Sequence, residues 1–439
     1  MKINHLLYTL TVSAMVMSAC NSKISKAERS ASADSSKVSN LDSLAAISDS
    51  KTKFSNIIGW KAFETPKAPA GFTVTRFAEK IKSPRQTYIA PNGDVLVVLS
   101  NSERTVKEQV VGKIIGQADA EVGGKSANNI LLYRDADGDG VAETKTLFLT
   151  GLNQPYGMLI IGDKFYVANT DGVMMYPYQT GATKIEGEGK KIVELPAGGY
   201  NNHWTRNLIA SADNSKIYIS VGSGSNVGEN GMENEVRRAN ILEVNPDGSG
   251  EKIYASGLRN PVGMAWNPVS KELWTAVNER DGLGDNLVPD YITSVKPNAF
   301  YGWPYSYFGN HADPRRKGEK PELVAKAIAP DYALAPHSAS LGLAFYTGTQ
   351  FPEKYKNGAF VGQHGSWNRS EFNGYKVVFV PFKDGKPAGK EEDLLTGFVV
   401  GNGSRDVHGR PVGVSVAKDG ALLVCDDGAG IIWRVAAKK

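Results

Sequence analysis

One pattern of apolar and polar positions recurs along the chain. A short motif containing Pro, Gly or Arg leads into an apolar strand, a turn with Asn/Asp-Gly or similar, and a second apolar strand. The copies begin at Pro84-Arg85, Pro155-Tyr156-Gly157-Met158, His203, Pro261-Val262-Gly263-Met264, Leu341-Gly342-Leu343 and Pro411-Val412-Gly413-Val414. These six copies lie roughly 50 to 80 residues apart. Units of two hairpins at such spacing, each unable to bury its faces alone, mark propeller blades. The pattern predicts an all-β fold, a six-bladed β-propeller. A β-sandwich would not need six similar units.

Composition agrees. With 47 Gly and 21 Pro in 439 residues, the chain has the turns that an all-β architecture needs. Residues 101 to 128 exceed an ordinary hairpin loop and read as an insertion in the first blade. Residues 309 to 340 read as a second one, between the fourth and fifth blades. Long loops on a rigid scaffold build binding mouths or interfaces. The net charge of +4 is spread along the chain, and no basic run is interleaved with aromatics, which argues against a nucleic-acid partner.

The N-terminus changes the picture more. Lys2 precedes an apolar stretch, Leu6 to Met17, too short to span a bilayer. Met17-Ser18-Ala19-Cys20 resembles a bacterial lipobox. The expectation is a signal peptide over residues 1–19 and a lipidated Cys20 that anchors the protein to the cell envelope, facing the outer membrane or periplasm. Residues 20–57 are rich in Ser, Ala, Lys and Asp and read as a flexible tether, leaving 58–439 as the propeller. The second cysteine, Cys425, sits in an apolar run and reads as a buried thiol.

The densest chemistry lies in Gly257-Leu258-Arg259-Asn260-Pro261-Val262-Gly263, continuing through Asn278-Glu279-Arg280-Asp281 to Phe300-Tyr301-Gly302-Trp303-Pro304. With His364-Gly365-Ser366-Trp367-Asn368-Arg369 and Gly409-Arg410-Pro411, these motifs resemble the glucose/sorbosone dehydrogenase family, in particular its sorbosone branch. The resemblance covers nearly all of the globular part. It implies a six-bladed propeller holding pyrroloquinoline quinone and a calcium ion over its axis, with a sugar or aldehyde as substrate and an electron acceptor that the sequence does not identify.

Oxidising a sugar C1 hydroxyl needs a base for the O–H proton and an acceptor for the hydride, and a neutral histidine suits the first task. By match to the family, His203 is the expected base and Arg259 the catalytic cation, with Asn260 beside it on the quinone. Gln154, Tyr301, His364, Arg369 and Arg410 are expected to line the cofactor pocket, because a tricarboxylate needs cations. Calcium is expected on the backbone carbonyls of Glu279, Arg280 and Asp281.

There is a departure. Where the family's soluble glucose enzymes have Gly-Asp, this chain has Gly222-Ser223. A serine can accept the imidazole N–H but brings no charge. Asp135-Ala136-Asp137-Gly138-Asp139-Gly140 imitates the start of an EF-hand loop, yet Thr146 stands where a bidentate Glu is required, so a hairpin turn is expected, with incidental calcium binding as the alternative. Two other functions compete: a calcium-dependent lactonase, and a non-catalytic surface propeller that binds glycan or protein.

Overall fold

The repeated pattern folds into six four-stranded antiparallel sheets in a computed structural model that describes residues 40–103, 112–113, 117–120, 124–401 and 403–438. Their innermost strands are Pro84–Ile89, Met158–Ile161, Arg206–Ala210, Pro261–Trp266, Ser340–Phe345 and Pro411–Val416. These define blades 1 to 6 in chain order. In blade 6 the outermost strand is Phe72–Ala78, which pairs with Ile431–Ala437. Closing the last blade with a strand that precedes blade 1 in the chain ties the ring.

Second strands such as Val95–Leu99, Ile217–Val221 and Leu422–Asp426 are buried along their whole length. They are covered on both faces, which is why they read as continuous apolar runs and not as alternation.

The glycine third in the inner strand or just before it, preceded by Pro-x in three blades and by Ser340-Leu341 in blade 5, has a packing cause. A Cβ on Gly342 would lie 2.2 Å from the Val412 carbonyl oxygen, and one on Gly157 would lie 2.5 Å from the Leu208 nitrogen. Glycine lets the inner strands of neighbouring blades touch near the axis. The residues just before four such glycines, Tyr156, Val262, Leu341 and Val412, pack with Cys425 into one apolar plug. Cys425 is buried there, and burial pushes its thiol pKa far up.

Each inner strand starts where its neighbour ends: Arg206 pairs with Val221, Pro261 with Val277, Ser340 with Gln363 and Pro411 with Asp426. Loops entering first strands and leaving second strands therefore share one face, called the site face below. Asp135, Asp137, Asp139 and Glu143 lie on the opposite face, in the turn after Asn129–Arg134. Their carboxylates accept backbone N–H groups of that turn, as a hairpin reading requires.

Two expectations need correction. Residues 40–57 are not a loose tether but a strap over blades 4 to 6. Asn40 bonds Ala333 through both amide termini, Ser48 N–H donates to the Leu283 carbonyl, and Asn56–Ile57 pairs in parallel with Asp406–Val407. Average composition suggested disorder, but the few apolar residues are well placed: Ile47 and Phe54 are buried, and Leu41 and Leu44 pack beside Ile47. The second long loop does not separate blades 4 and 5. It contains Tyr332–Pro336, the outer strand of blade 4. Cys20 and the signal-like segment lie outside the described residues.

Candidate active site

His203 stands just before the inner strand of blade 3, and its Nδ1 lies 2.9 Å from both the carbonyl and the hydroxyl oxygen of Ser223. The Ser223 hydroxyl donates to the Ser225 carbonyl at 2.6 Å, so toward His203 it can only accept. Both partners being acceptors, Nδ1 carries the proton and Nε2 is left with a lone pair. Burial, then the charge of Arg259, pushes the His203 pKa well below its ordinary 6.5. The ring is therefore a neutral base with a fixed tautomer.

Behind it, Ser225 Oγ donates to Glu235, whose carboxylate also accepts the N–H groups of Gly224 and Ser225. Glu235 is the buried negative charge of this loop, set beyond the serine. Sequence reasoning missed it, because it lies 12 residues past Ser223 on a separate 3-10 turn, Met232–Glu235.

Arg259 and Asn260 enter blade 4 next to this histidine. The Arg259 carbonyl accepts the Ser223 N–H at 2.7 Å, and Gly222 is so close that a Cβ there would lie 2.5 Å from Asn260 Oδ1 and 2.6 Å from His203 Cβ. Asn260 Oδ1 is buried without a hydrogen-bond partner. Such an acceptor is costly unless a ligand satisfies it.

Across the face, blades 5, 6 and 1 gather charge. His364 Nε2 lies 2.7 Å from Asp427, and Arg85 bonds the same carboxylate. Burial and the nearby Arg410 lower the His364 pKa to about 4. Burial alone would raise Asp427, but His364 and Arg85 hold it far below the usual carboxylate range. Arg410 is buried, lies over the Tyr375 ring, and donates only to carbonyls: His364 at 3.1 Å, Gly365 at 3.2 Å and Ala120 at 3.5 Å. Among the described residues no carboxylate forms an ion pair with it. The sequence marked Arg85 as a repeat position only and overlooked Asp427. Their signal was position, at the site-face ends of blades 1 and 6. A cavity of about 310 Å³ opens at that seam, lined by Lys82, Asn101, Lys125 and Asp427 among others, but not by His203 or Arg259.

The remaining expected residues divide. Gln154 is on the site face, donating to the Asn101 carbonyl at 2.9 Å. Arg369 turns to the rim, where it donates to the Asp285 carbonyl, so it is displaced from the expected pocket. Tyr301 is a correction: its hydroxyl donates to the Ser294 carbonyl at 2.6 Å and accepts the Lys296 N–H at 3.0 Å. Both lie at the end of the blade 4 strands opposite Glu279, so Tyr301 is a packing residue.

Two of the three expected calcium ligands, the Glu279 and Asp281 carbonyls, are already taken by cations or amides. The Glu279 carbonyl accepts Arg259 Nη1 at 2.7 Å. The Asp281 carbonyl accepts Arg315 Nη1 at 2.7 Å and Asn226 Nδ2 at 3.0 Å. Guanidinium groups stand at two of the three oxygens where the cation was expected. The Arg280 side chain runs the other way, into a buried network with Glu279 and Asp313 that anchors the loop after Tyr301. His337 closes this side. Its Nε2 faces the Gly284 and Leu287 carbonyls and its Nδ1 faces Asp281 at 3.2 Å, so both nitrogens must donate and the ring is an imidazolium. Burial opposes that charge, but Asp281 raises the pKa.

Every expected protein-side residue except Tyr301 thus lies on one face, with a neutral histidine beside an arginine and an unsatisfied amide. Residues 168–434 match the Glucose / Sorbosone dehydrogenase family. The chain belongs to that family. It is 31% identical over 304 residues to an uncharacterized protein of Borreliella burgdorferi, covering 66% of this chain and 77% of that one. It is 29% identical over 200 residues to the aldose sugar dehydrogenase YliI of Escherichia coli, covering 44% of this chain and 46% of the relative. The sequence match thus spans less than half of the Escherichia coli enzyme's length. Among solved structures, the pyranose dehydrogenase PQQ domain of Coprinopsis cinerea superposes with a TM-score of 0.67 at 19% identity, over 87% of this chain and 100% of that one. The soluble aldose sugar dehydrogenase of Escherichia coli gives 0.55 at 19% identity, over 84% and 100%. These likenesses show the propeller fold, and family membership places the chain among the oxidoreductases.

Proposed function

We propose that this protein is a quinone-dependent oxidoreductase that oxidises an aldose or sugar aldehyde on the site face of its propeller. The observation that carries the reading is the fixed tautomer of His203, whose Nε2 carries a lone pair, faced by the Asn202 side-chain amide at 3.4 Å, on a ring beside Arg259 and Asn260. In this reading His203 Nε2 takes the proton of the substrate hydroxyl, and Ser223 holds the ring in register as the imidazolium forms. Arg259 supplies a fixed positive charge next to the reacting carbons, where negative charge develops. Pyrroloquinoline quinone, when bound, accepts the hydride.

The residues present suit a polyanionic quinone. Among the described residues Arg410 is a buried guanidinium without an ion pair, Arg85 Nε and Asn260 Oδ1 are buried without partners, and Gln154 stands at the blade 1–2 seam. Arg410, Arg85 and Asn260 are the groups assigned to hold it, with His364 keeping Arg410 and Asp427 in place. The His364-to-Arg369 stretch is what favours the sorbosone branch. A lactonase would need free acidic side chains converging on a metal. Here Asp281, Glu235 and Asp427 are each satisfied by arginine, histidine, hydroxyl or N–H donors. The lipobox-like Met17-Ser18-Ala19-Cys20 supports a lipid-anchored protein of the cell envelope.

The test is titration of the purified protein with pyrroloquinoline quinone, followed by dye-linked oxidation of a panel of aldoses and aldehydes. Binding with turnover is expected. Binding without turnover on any of them makes a non-catalytic binding propeller the better reading, and no binding removes the quinone.

A further inference from the structure

Arg259 sits inside a cage of oxygens. Its Nε donates to the Asn226 carbonyl at 3.2 Å. Nη1 donates to the Asn278 carbonyl at 3.2 Å, Asn278 Oδ1 at 3.0 Å and the Glu279 carbonyl at 2.7 Å. Nη2 donates to Asn226 Oδ1 at 2.9 Å and faces Asp281 Oδ2 at 3.5 Å. These are three backbone carbonyls, two amide oxygens and one carboxylate, around a guanidinium only 1% exposed. Six hard oxygens are what a calcium ion takes, at about 2.3–2.6 Å.

The cage walls are braced from outside. Asn226 Oδ1 also accepts the Asp281 N–H, Asn226 Nδ2 donates to the Asp281 carbonyl, and the Asn226 carbonyl accepts Trp303 Nε1. The Glu279 and Asn278 N–H groups are held by Asp290 and by the Asn260 carbonyl. The walls are therefore set by other contacts and not by the arginine alone. A divalent ion could enter only by expelling a buried guanidinium that cannot lose its proton. Otherwise it would set its charge beside the arginine, in a cage with one carboxylate among its six oxygens.

We propose that Arg259 is a built-in cation: it fills the oxygen cage that a divalent metal would otherwise occupy, so this protein binds its quinone without calcium. The inference rests on the quinone-dependent reading and adds to it that the metal is dispensable. It also explains the sequence locally, because Asn226, Asn278 and the Glu279 carbonyl all face one guanidinium.

The test has two arms. In the first, wild-type protein stripped with a chelator is titrated calorimetrically with pyrroloquinoline quinone, in chelator and in excess calcium. The expected dissociation constants agree within about fivefold, and tightening by more than fivefold in calcium overturns the proposal. Failure to bind in both buffers sinks the quinone reading instead. In the second arm calcium alone is titrated into wild type and into Arg259→Ala, so that any binding at the exposed Asp135–Glu143 turn is common to both. Emptying the cage should add one calcium site to the variant, seen as extra stoichiometry and a calcium-dependent rise in Tm. A folded variant with no added site overturns the cage. If Arg259→Ala does not fold, the wild-type arm decides by itself.

Discussion

Two histidines on the site face look alike in sequence and differ in what surrounds them. His203 and His364 each precede or follow a blade strand, and burial next to an arginine depresses both pKa values. At His203 the second-strand loop offers acceptors to Nδ1, and Nε2 keeps its lone pair with only the exposed Asn202 amide facing it, at 3.4 Å, among the described residues. At His364 it is Nε2 that meets Asp427, within a knot that also holds Arg85. The first ring is arranged to take a proton and the second to fix a carboxylate. The same contrast runs through the arginines. Arg259 is saturated by its cage, whereas Arg410 has long bonds to carbonyls and no ion pair. In the proposed reading, blades 3 and 4 carry the chemistry, and blades 5, 6 and 1 carry the charge that a polyanion requires.

The largest expected effect separates the histidines. His203→Ala should lower turnover by about 10² to 10⁴, the usual loss for a positioned base, with quinone affinity nearly intact. His364→Ala should act in the opposite way, weakening quinone binding while the loaded fraction still turns over. Steady-state rates beside quinone titrations of both variants would expose an inverted assignment.

Next comes Arg410→Ala, expected to weaken quinone binding by roughly 1.5–3 kcal/mol through loss of a charge-assisted contact. A dissociation constant within twofold of wild type would mean that the charged half of the face does not hold the cofactor.

A smaller effect concerns pH. A histidine whose pKa is lowered stays unprotonated as pH falls, so the acid limb of kcat/KM should lie below the ordinary histidine value of 6.5. Ser223→Asp places a carboxylate on Nδ1, favours the imidazolium and should move that limb to higher pH. A limb unmoved by this change would place the titrating base elsewhere.

The smallest effect on binding tests a correction. Tyr301→Phe should cost roughly 1–3 kcal/mol of stability, because the Ser294 carbonyl and Lys296 N–H lose a buried partner, while quinone affinity stays unchanged. Denaturant unfolding paired with a quinone titration would show whether Tyr301 is a packing residue.

The blades were readable in the sequence because their apolar runs and Pro-x-Gly starts follow directly from two-faced burial and close approach at the axis. His203, Arg259, Asn260, His364 and Arg410, picked out in the sequence, all stand at strand ends on one face. What was not readable depends on directions that spacing does not encode. Tyr301 shares its motif with site residues, yet its side chain runs down the blade. The carbonyls of Glu279 and Asp281 are where the family comparison put them, but arginines reach them first. Glu235 and Asp427 matter through contacts across 10 and 63 residues of chain. The strap over blades 4 to 6 escaped notice because a few well-placed apolar residues do not change an average.

The central claim is that the site face reduces a bound quinone with a sugar through His203. The most direct measurement is anaerobic stopped-flow mixing of quinone-loaded wild type with aldose, following the quinone absorbance through a single turnover. The account predicts full conversion to the reduced form in wild type and conversion slower by about 10² or more in His203→Ala. A loaded wild type whose absorbance no aldose or aldehyde changes, or a His203→Ala trace that overlays it, would contradict the account.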